Sequence, residues 1–328
     1  MSAGVLTISL DFELYWGVHD KCDLDTYRAN IEGVHLAAPV ILEVFSEYGI
    51  HATWATVGFL LCESIQELRI ARPDVLPSYE RQEYAPYGYI DSLGGGEDAA
   101  CLIAPGLLAQ IQETPHQEIG THTWSHFYCL EAGVTRESMR SDMAHAKDMA
   151  QARGLELTSI VFPRNQYDDS CLDVCRELGV TCYRGNQDHF AYRPNNDEVF
   201  NAPWARLARA VDTYISLSGP NSFARPVSVT DTPLNIPASF FLRPFSKKLR
   251  LLEPLRLRRL KRAMSHAAKA REVCHLWWHP HNFGRNLDAN IAVLRQLLDH
   301  YRALAERHGM ESLNMGELAK KTPQSEAV

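Results

Sequence analysis

Between residues 5 and 13 the chain reads VLTISLDFE, an apolar and partly β-branched run that ends in two carboxylates, Asp11 and Glu13. Positions i and i+2 of a strand share a face, so both acids project to one side of a segment otherwise composed for burial. Carboxylates so placed repel each other unless a cation lies beside them. The stretch restricts the chain to folds in which a buried strand ends at a polar site that contains positive charge.

Strand-like and helix-like runs alternate along the chain, the pattern of a mainly parallel sheet wrapped by helices. A helix over about 32–48 stops at Gly49, a residue suited to helix ends. HATWATVGFL reads as a strand and a turn, QEIGTH as a strand, and a helix over about 135–152 leads to the strand TSIVF. Another helix ends at Gly179, VTCYRG and REVCHLWW are further strands, and an amphipathic run near 288–308 closes the fold. The 328 residues, 45% hydrophobic and 22% charged, fit one α/β domain spanning 1–328. Residues 72–106, rich in Pro, Gly and Tyr, read as a long ordered excursion that caps a site. Residues 186–262 read as an irregular, proline-rich insertion followed by a basic helix.

A net charge of −7 argues against nucleic acid as a partner. The start, MSAGVLTISLDF, has neither a basic n-region nor a long apolar run, and no stretch approaches the roughly 20 apolar residues of a membrane span. The eight cysteines show no C-x-x-C spacing and read as reduced thiols, so a cytoplasmic location is expected.

Three more stretches place polar residues after apolar strands. In EIGTHTWSHFYC, His122 and His126 are four apart, which in a helical turn puts both imidazoles on one side, as a metal needs. Such a pair also suits hydrogen bonding at a helix start. In IVFPRNQYDD, Arg164 follows an apolar strand and a proline; in CHLWWHPHNFG, His279 and His281 end another strand. In barrel-like α/β folds the carboxyl ends of strands are where active sites are built. Two histidines and a carboxylate form a common catalytic metal triad, and the remaining acid, arginine and histidine supply acid–base chemistry.

In order along the chain, SLDFE, HTWSH, FPRNQ and LWWHPHN resemble the motifs of the polysaccharide deacetylase family, carbohydrate esterase family four, from about residue 5 to 320. HTWSH fits the family's His-[Ser/Thr]-x-x-His metal motif in full. The resemblance implies a distorted (β/α) barrel that removes N- or O-acetyl groups from sugars with one divalent metal, zinc being expected. It makes Asp11 the catalytic base, Glu13, His122 and His126 the metal ligands, and Arg164 the partner that keeps Asp11 ionised. His279 becomes the acid, with His281 as the alternative. Trp16, Asn165, Gln166, His281 and Asn282 are the expected substrate contacts. Two departures stand out: Glu13 replaces the usual aspartate, and proline precedes Arg164 where the family has Arg-x-Pro.

The expected activity is deacetylation of a nucleotide- or lipid-linked sugar during assembly of bacterial surface polysaccharide or O-antigen. The alternatives are an amidohydrolase of the same fold acting on a small cyclic amide or ureide, and a degenerate module that only binds glycan. The segment 243–262 carries nine basic residues and one acid among interleaved leucines. It reads either as a barrel helix with leucines inward and charges in water, or as a basic face that contacts an anionic membrane surface.

Overall fold

The computed structural model describes residues 3–94, 98–187, 211–214, 219–226 and 232–322. Much of the insertion expected at 186–245 therefore lies outside the described residues. The long strands are β1 (Val5–Phe12), β2 (Ala52–Thr56), β3 (Gln117–Thr121) and β8 (Val273–Trp278). Five two-residue strands complete the sheet: β4 (Ser159–Ile160), β5 (Cys182–Tyr183), β6 (Leu234–Asn235), β7 (Phe240–Phe241) and β9 (Glu311–Ser312). They pair in the order β6-β5-β4-β3-β2-β1-β8-β7, with β9 against β1, and every pairing is parallel.

The two ends of that order are joined by one short stretch of chain. Ile236 N–H donates to Tyr183 O (2.9 Å) and Ala238 N–H to Gly185 O (2.9 Å) on one flank, while Ser239 N–H donates to His275 O (2.8 Å) and Leu242 N–H to Trp277 O (2.8 Å) on the other. Residues 234–242 thus bridge β5 and β8, and the sheet curls into a distorted barrel of the kind expected.

The alternation of β1 sorts its side chains. Leu6, Ile8, Leu10 and Phe12 join the main core with Ile41 and Phe45 of the helix Val34–Tyr48 and Leu294 and Leu298 of the helix Leu287–His308. Thr7, Ser9 and Asp11 take the opposite, inner face, and all eight residues are buried. The inner column is polar: Ser9 Oγ lies 2.9 Å from His275 Nε2 and accepts from Arg184 Nη1 at 3.1 Å. Because the helix Val34–Tyr48 ends at Gly49 in the left-handed conformation (φ 62°), the chain turns directly into β2.

The basic segment is not the helix that its composition suggests. In Glu253–Ala270 the inward face carries Arg256 and Arg259 before it reaches Leu260, Ala263 and Met264. Leu251 is 85% exposed and Leu255 47% exposed. The expectation of leucines inward and charges in water is therefore reversed over the first turns, while the later turns follow it.

Leu10→Ala, at a fully buried position, should cost about 2–5 kcal/mol of unfolding free energy. Leu251→Ala should stay within about 0.5 kcal/mol. Denaturant titration of both variants checks the contrast; a loss at Leu251 equal to that at Leu10 would contradict the inside-out segment.

Candidate active site and metal centre

Five strands deliver polar groups to the carboxyl end of the barrel. Asp11 is the penultimate residue of β1 and Glu13 follows that strand, His122 follows β3, Arg184 follows β5, His279 follows β8, and Asn165 lies in the turn after β4. Glu13 Oε2 is 3.3 Å from His122 Nε2 and 3.2 Å from His126 Nε2, so two imidazoles converge on one carboxylate oxygen. All three residues are buried, and their ligand atoms lie within 4.8 Å of one another.

The geometry of His122 and His126 comes from a bent loop, not from the helical turn that their spacing suggested. Thr123 (φ 65°) and His126 (φ 57°) are left-handed, a conformation that costs a non-glycine residue energy. Asp142 holds the loop: it accepts from Trp124 N–H (2.7 Å), Ser125 N–H (3.2 Å) and the Ser125 hydroxyl. Burial nonetheless pushes the Asp142 carboxyl up to about 7.

His122 Nδ1 lies 2.7 Å from Val161 O, a backbone acceptor, which leaves Nε2 with its lone pair toward Glu13. Burial lowers the His126 pKa to about 4, so that ring is neutral at pH 7, the form a ligand needs. Burial alone would raise the Glu13 pKa, but the charge of His279 and the adjacent His122 and His126 imidazoles outweigh it and hold the carboxyl well below its ordinary value. One carboxylate and two imidazoles fit a divalent metal such as zinc. A second group, His51, His116 and Glu317, sits at the opposite end of β2 and β3. There Glu317 already closes the capping box of the helix Met315–Lys320.

The arginine on Asp11 is Arg184, not Arg164. Arg184 Nη1 donates to Asp11 Oδ1 (2.6 Å) and Nη2 to Oδ2 (2.8 Å), a bidentate pair whose guanidinium is fully buried. Burial raises the Asp11 pKa, yet the charge and hydrogen bonds of Arg184 prevail and hold it below the ordinary value. Strand alternation explains the choice. Cys182 packs with Ala55 and Val161, Tyr183 packs in a separate cluster with Phe162, and Arg184 again points inward. Arg164 and Asn165 instead form a left-handed turn (φ 55° and 54°). The turn sends the Arg164 guanidinium to Asp20 and over the Tyr128 ring, 3.8 Å from its centroid. The signal for Arg184 was present in VTCYRG, an arginine directly after an apolar strand.

His279 Nε2 is 3.4 Å from Glu13 Oε1 and 3.8 Å from Asp11 Oδ2. Asn282 Nδ2 is 3.4 Å from His279 Nδ1, so the asparagine sits on the ring nitrogen turned away from the carboxylates. His281 is buried, and burial followed by the charge of His279 lowers its pKa to about 4. Asn165 Oδ1 accepts from Arg184 Nη2 at 3.1 Å and so supports the Asp11 pair. Two expected substrate contacts are placed elsewhere. Trp16 is fully buried, with Nε1 donating to Leu102 O (2.8 Å) and its ring on Phe59. Gln166 is buried and donates to Glu131 Oε1 (2.8 Å). The excursion 72–106 reaches this rim through Tyr84, whose ring packs against Tyr128 and Arg164.

A methyl group at Gly17 would overlap the Glu13 carboxylate. Gly17→Ala should therefore keep the fold, by circular dichroism, and lose about 10–100-fold in zinc affinity; unchanged affinity would exclude Glu13 as a ligand. Removing Arg184 should be harsher, since it strands a buried charge at a cost of about 3–5 kcal/mol. The sign with pH is fixed. The wild-type pair stabilises above the unfolded aspartate pKa of about 4 and loses this as pH falls through the lowered folded value. In Arg184→Gln the buried carboxyl is relieved by protonation, so the stability gap to wild type should be widest near neutral pH and narrow toward acid. Urea unfolding of both proteins between pH 4 and 8 checks it; a gap that does not change with pH would contradict the pairing.

Residues 32–183 match the sequence profile of the polysaccharide deacetylase family. No curated protein matches the chain. Among solved structures, a Mycobacterium smegmatis protein named as a polysaccharide deacetylase superposes with a TM-score of 0.60 at 11% identity, covering 100% of this chain and 95% of that one. An allantoinase superposes at 0.55 with 12% identity, over 96% of this chain and 89% of the other. A GH57-type branching enzyme from the archaeon Pyrococcus horikoshii superposes at 0.56 with 11% identity, over 98% and 72%. At such identities the likeness is one of fold, and it spans three chemistries. Together with the sequence match over residues 32–183, it shows that the chain has the polysaccharide deacetylase-type fold.

Proposed function

We propose that this protein is a metal-dependent deacetylase that hydrolyses an N-acetyl group on a sugar, carried on a nucleotide or lipid during assembly of bacterial surface polysaccharide. The observation that carries the reading is one constellation: a Glu13–His122–His126 donor set flanked by the Asp11–Arg184 pair and by His279. A divalent metal bound there would supply Lewis acidity, polarising an acyl carbonyl and lowering the pKa of water.

The protein's own groups supply the rest. Asp11, kept ionised by Arg184, takes the proton of the attacking water. As the carbon–nitrogen bond breaks, His279, as the imidazolium, gives its Nε2 proton to the departing amine and is left as a neutral ring. Asn282, beside Nδ1, holds the orientation of that ring, and Asn165 steadies the guanidinium. Acetate and a free amino sugar are the products. A complete set of base, ligands and acid speaks against a module that only binds glycan. The cyclic-amide alternative is an outcome of the assay below.

The reading includes peripheral contact with an anionic membrane surface through 243–262. Exposed Leu249, Leu251, Leu252 and Leu255 lie beside exposed Lys247, Lys248, Arg250 and Arg258. Arg256 and Arg259 face inward and cannot share in it. Each basic residue at such a surface contributes about 1 kcal/mol. Co-sedimentation with anionic vesicles should be lost at high salt and weakened by Leu251→Asp; no binding at low salt would remove the contact.

Acetate release from a panel of nucleotide- and lipid-linked N-acetyl sugars should stop on chelation and return with zinc. Turnover of a cyclic ureide, with none of any sugar, would overturn the reading. Asp11→Asn should retain the metal and lose about 10²–10⁴-fold in kcat; near-normal turnover would remove Asp11 as the base.

A further inference from the structure

Beside His279 the barrel mouth opens into a cavity of about 270 Å³, near the lower end of ordinary ligand cavities. His279, Asn165 and Trp277 line it, as do Arg243, Arg256 and Arg259. Phe240 and Phe241 supply apolar surface, and Phe241 packs 4.6 Å from Trp277 and 5.7 Å from His279, centroid to centroid. The cavity is thus continuous with the proposed acid. Among the described residues no carboxylate lines it.

Three guanidiniums in one wall are costly. The side chains of Arg256 and Arg259 are only 3% and 8% exposed, and arginine is seldom buried without a reason. Their carboxylate partners, Glu253 and Asp212, are not part of the lining. The helix Glu253–Ala270 gives these inward positions to arginine while Leu251 and Leu255 face solvent, the opposite of what apolar burial favours. Arg243 makes neither an ion pair nor a side-chain hydrogen bond among the described residues, so its charge is uncompensated there. Gln187 is 7% exposed, donates through Nε2 to Ser239 O, and leaves a buried Oε1 without a donor. Cations that seek oxyanions and a buried acceptor that seeks a hydroxyl stand in one cavity.

We propose that this cavity is the subsite for a phosphate or diphosphate joined to the sugar, so that the substrate is a glycosyl phosphate whose acyl group reaches His279 and Asp11. The proposal rests on the deacetylase reading for the sugar, but the anion site stands or falls on its own measurement. Nucleoside and polyprenyl carriers share this chemistry.

Calorimetric titration of the metal-loaded protein with inorganic pyrophosphate tests the site. Binding should weaken about tenfold or more in Arg243→Gln, as loss of a charge-assisted contact predicts. It should be unchanged in Arg250→Gln, an exposed cation of the same segment that does not line the cavity. Absence of binding overturns the proposal, as does binding indifferent to Arg243→Gln, which would place the anion on the metal. Equal weakening in Arg250→Gln overturns it too, because the attraction would then be diffuse. Acetate release supplies the second arm. N-acetylhexosamines linked to a nucleoside diphosphate or to a polyprenyl diphosphate should each be compared with the neutral sugar. At least one should exceed it tenfold in kcat/KM, and Arg243→Gln should erase the preference. Equal turnover of the neutral sugar overturns the subsite while leaving the deacetylase reading intact. Pyrophosphate binding that depends on Arg243, with no acetate from any sugar, would do the reverse.

Discussion

Two buried carboxylates at the end of β1 govern this molecule. Asp11 and Glu13 are 3% and 4% exposed, and an ionised carboxylate moved from water to such a place costs several kcal/mol unless it is paired and hydrogen-bonded. The fold answers with two different solutions on one strand face. Asp11 receives a planar guanidinium that matches it bidentately, and Glu13 receives imidazoles whose other nitrogens or neighbours hold them in place. The separation of roles follows from those partners. A carboxylate locked to arginine stays ionised and fixed in orientation, whereas one beside two imidazoles has oxygens to offer a cation.

Much of the architecture serves that face. The inner column of Thr7, Ser9, His275 and Arg184 is polar where a barrel core is usually apolar, and the arginine needs Ser9 and Asn165 as well as Asp11 to satisfy its donors. His275, buried and beside Arg184, has its pKa lowered to about 3 and stays neutral, so it adds no charge to the column. The loops that finish the site hold left-handed residues at Thr123, His126, Arg164 and Asn165. Four such conformations around one cluster, each held by side-chain or backbone bonds, show local strain kept in place by the surroundings. Asp142 is the clearest case: it is fully buried and spends its oxygens on the loop that carries both histidines.

What could be read from the sequence depended on how local the signal was. The strand ending in Asp11 and Glu13, the HTWSH spacing and the placement of His279 after β8 are local, and the structure brings those residues together. Arg164 and Arg184 were locally alike, each an arginine after an apolar strand. Only backbone conformation separates them, since Arg164 lies in a left-handed turn and Arg184 continues the alternation of β5. Barrel closure by residues 234–242 was equally hidden, because it uses two-residue strands with no periodicity to detect. Trp16 near the acids was an expected substrate contact, but its burial against Phe59 depends on a segment more than forty residues away. The basic helix misled for a related reason. Its leucines and arginines fit an outward-charged face, but Arg256 and Arg259 turn inward and line the cavity.

The central claim is that Glu13, His122 and His126 form one metal centre. X-ray absorption spectroscopy of the zinc-loaded protein addresses it directly. Nitrogen and oxygen donors are expected near 2.0–2.2 Å, with the outer-shell signature of two imidazoles, reduced to one in His126→Ala. A thiolate sulfur near 2.3 Å, or an imidazole count untouched by that substitution, would place the metal elsewhere and contradict the account.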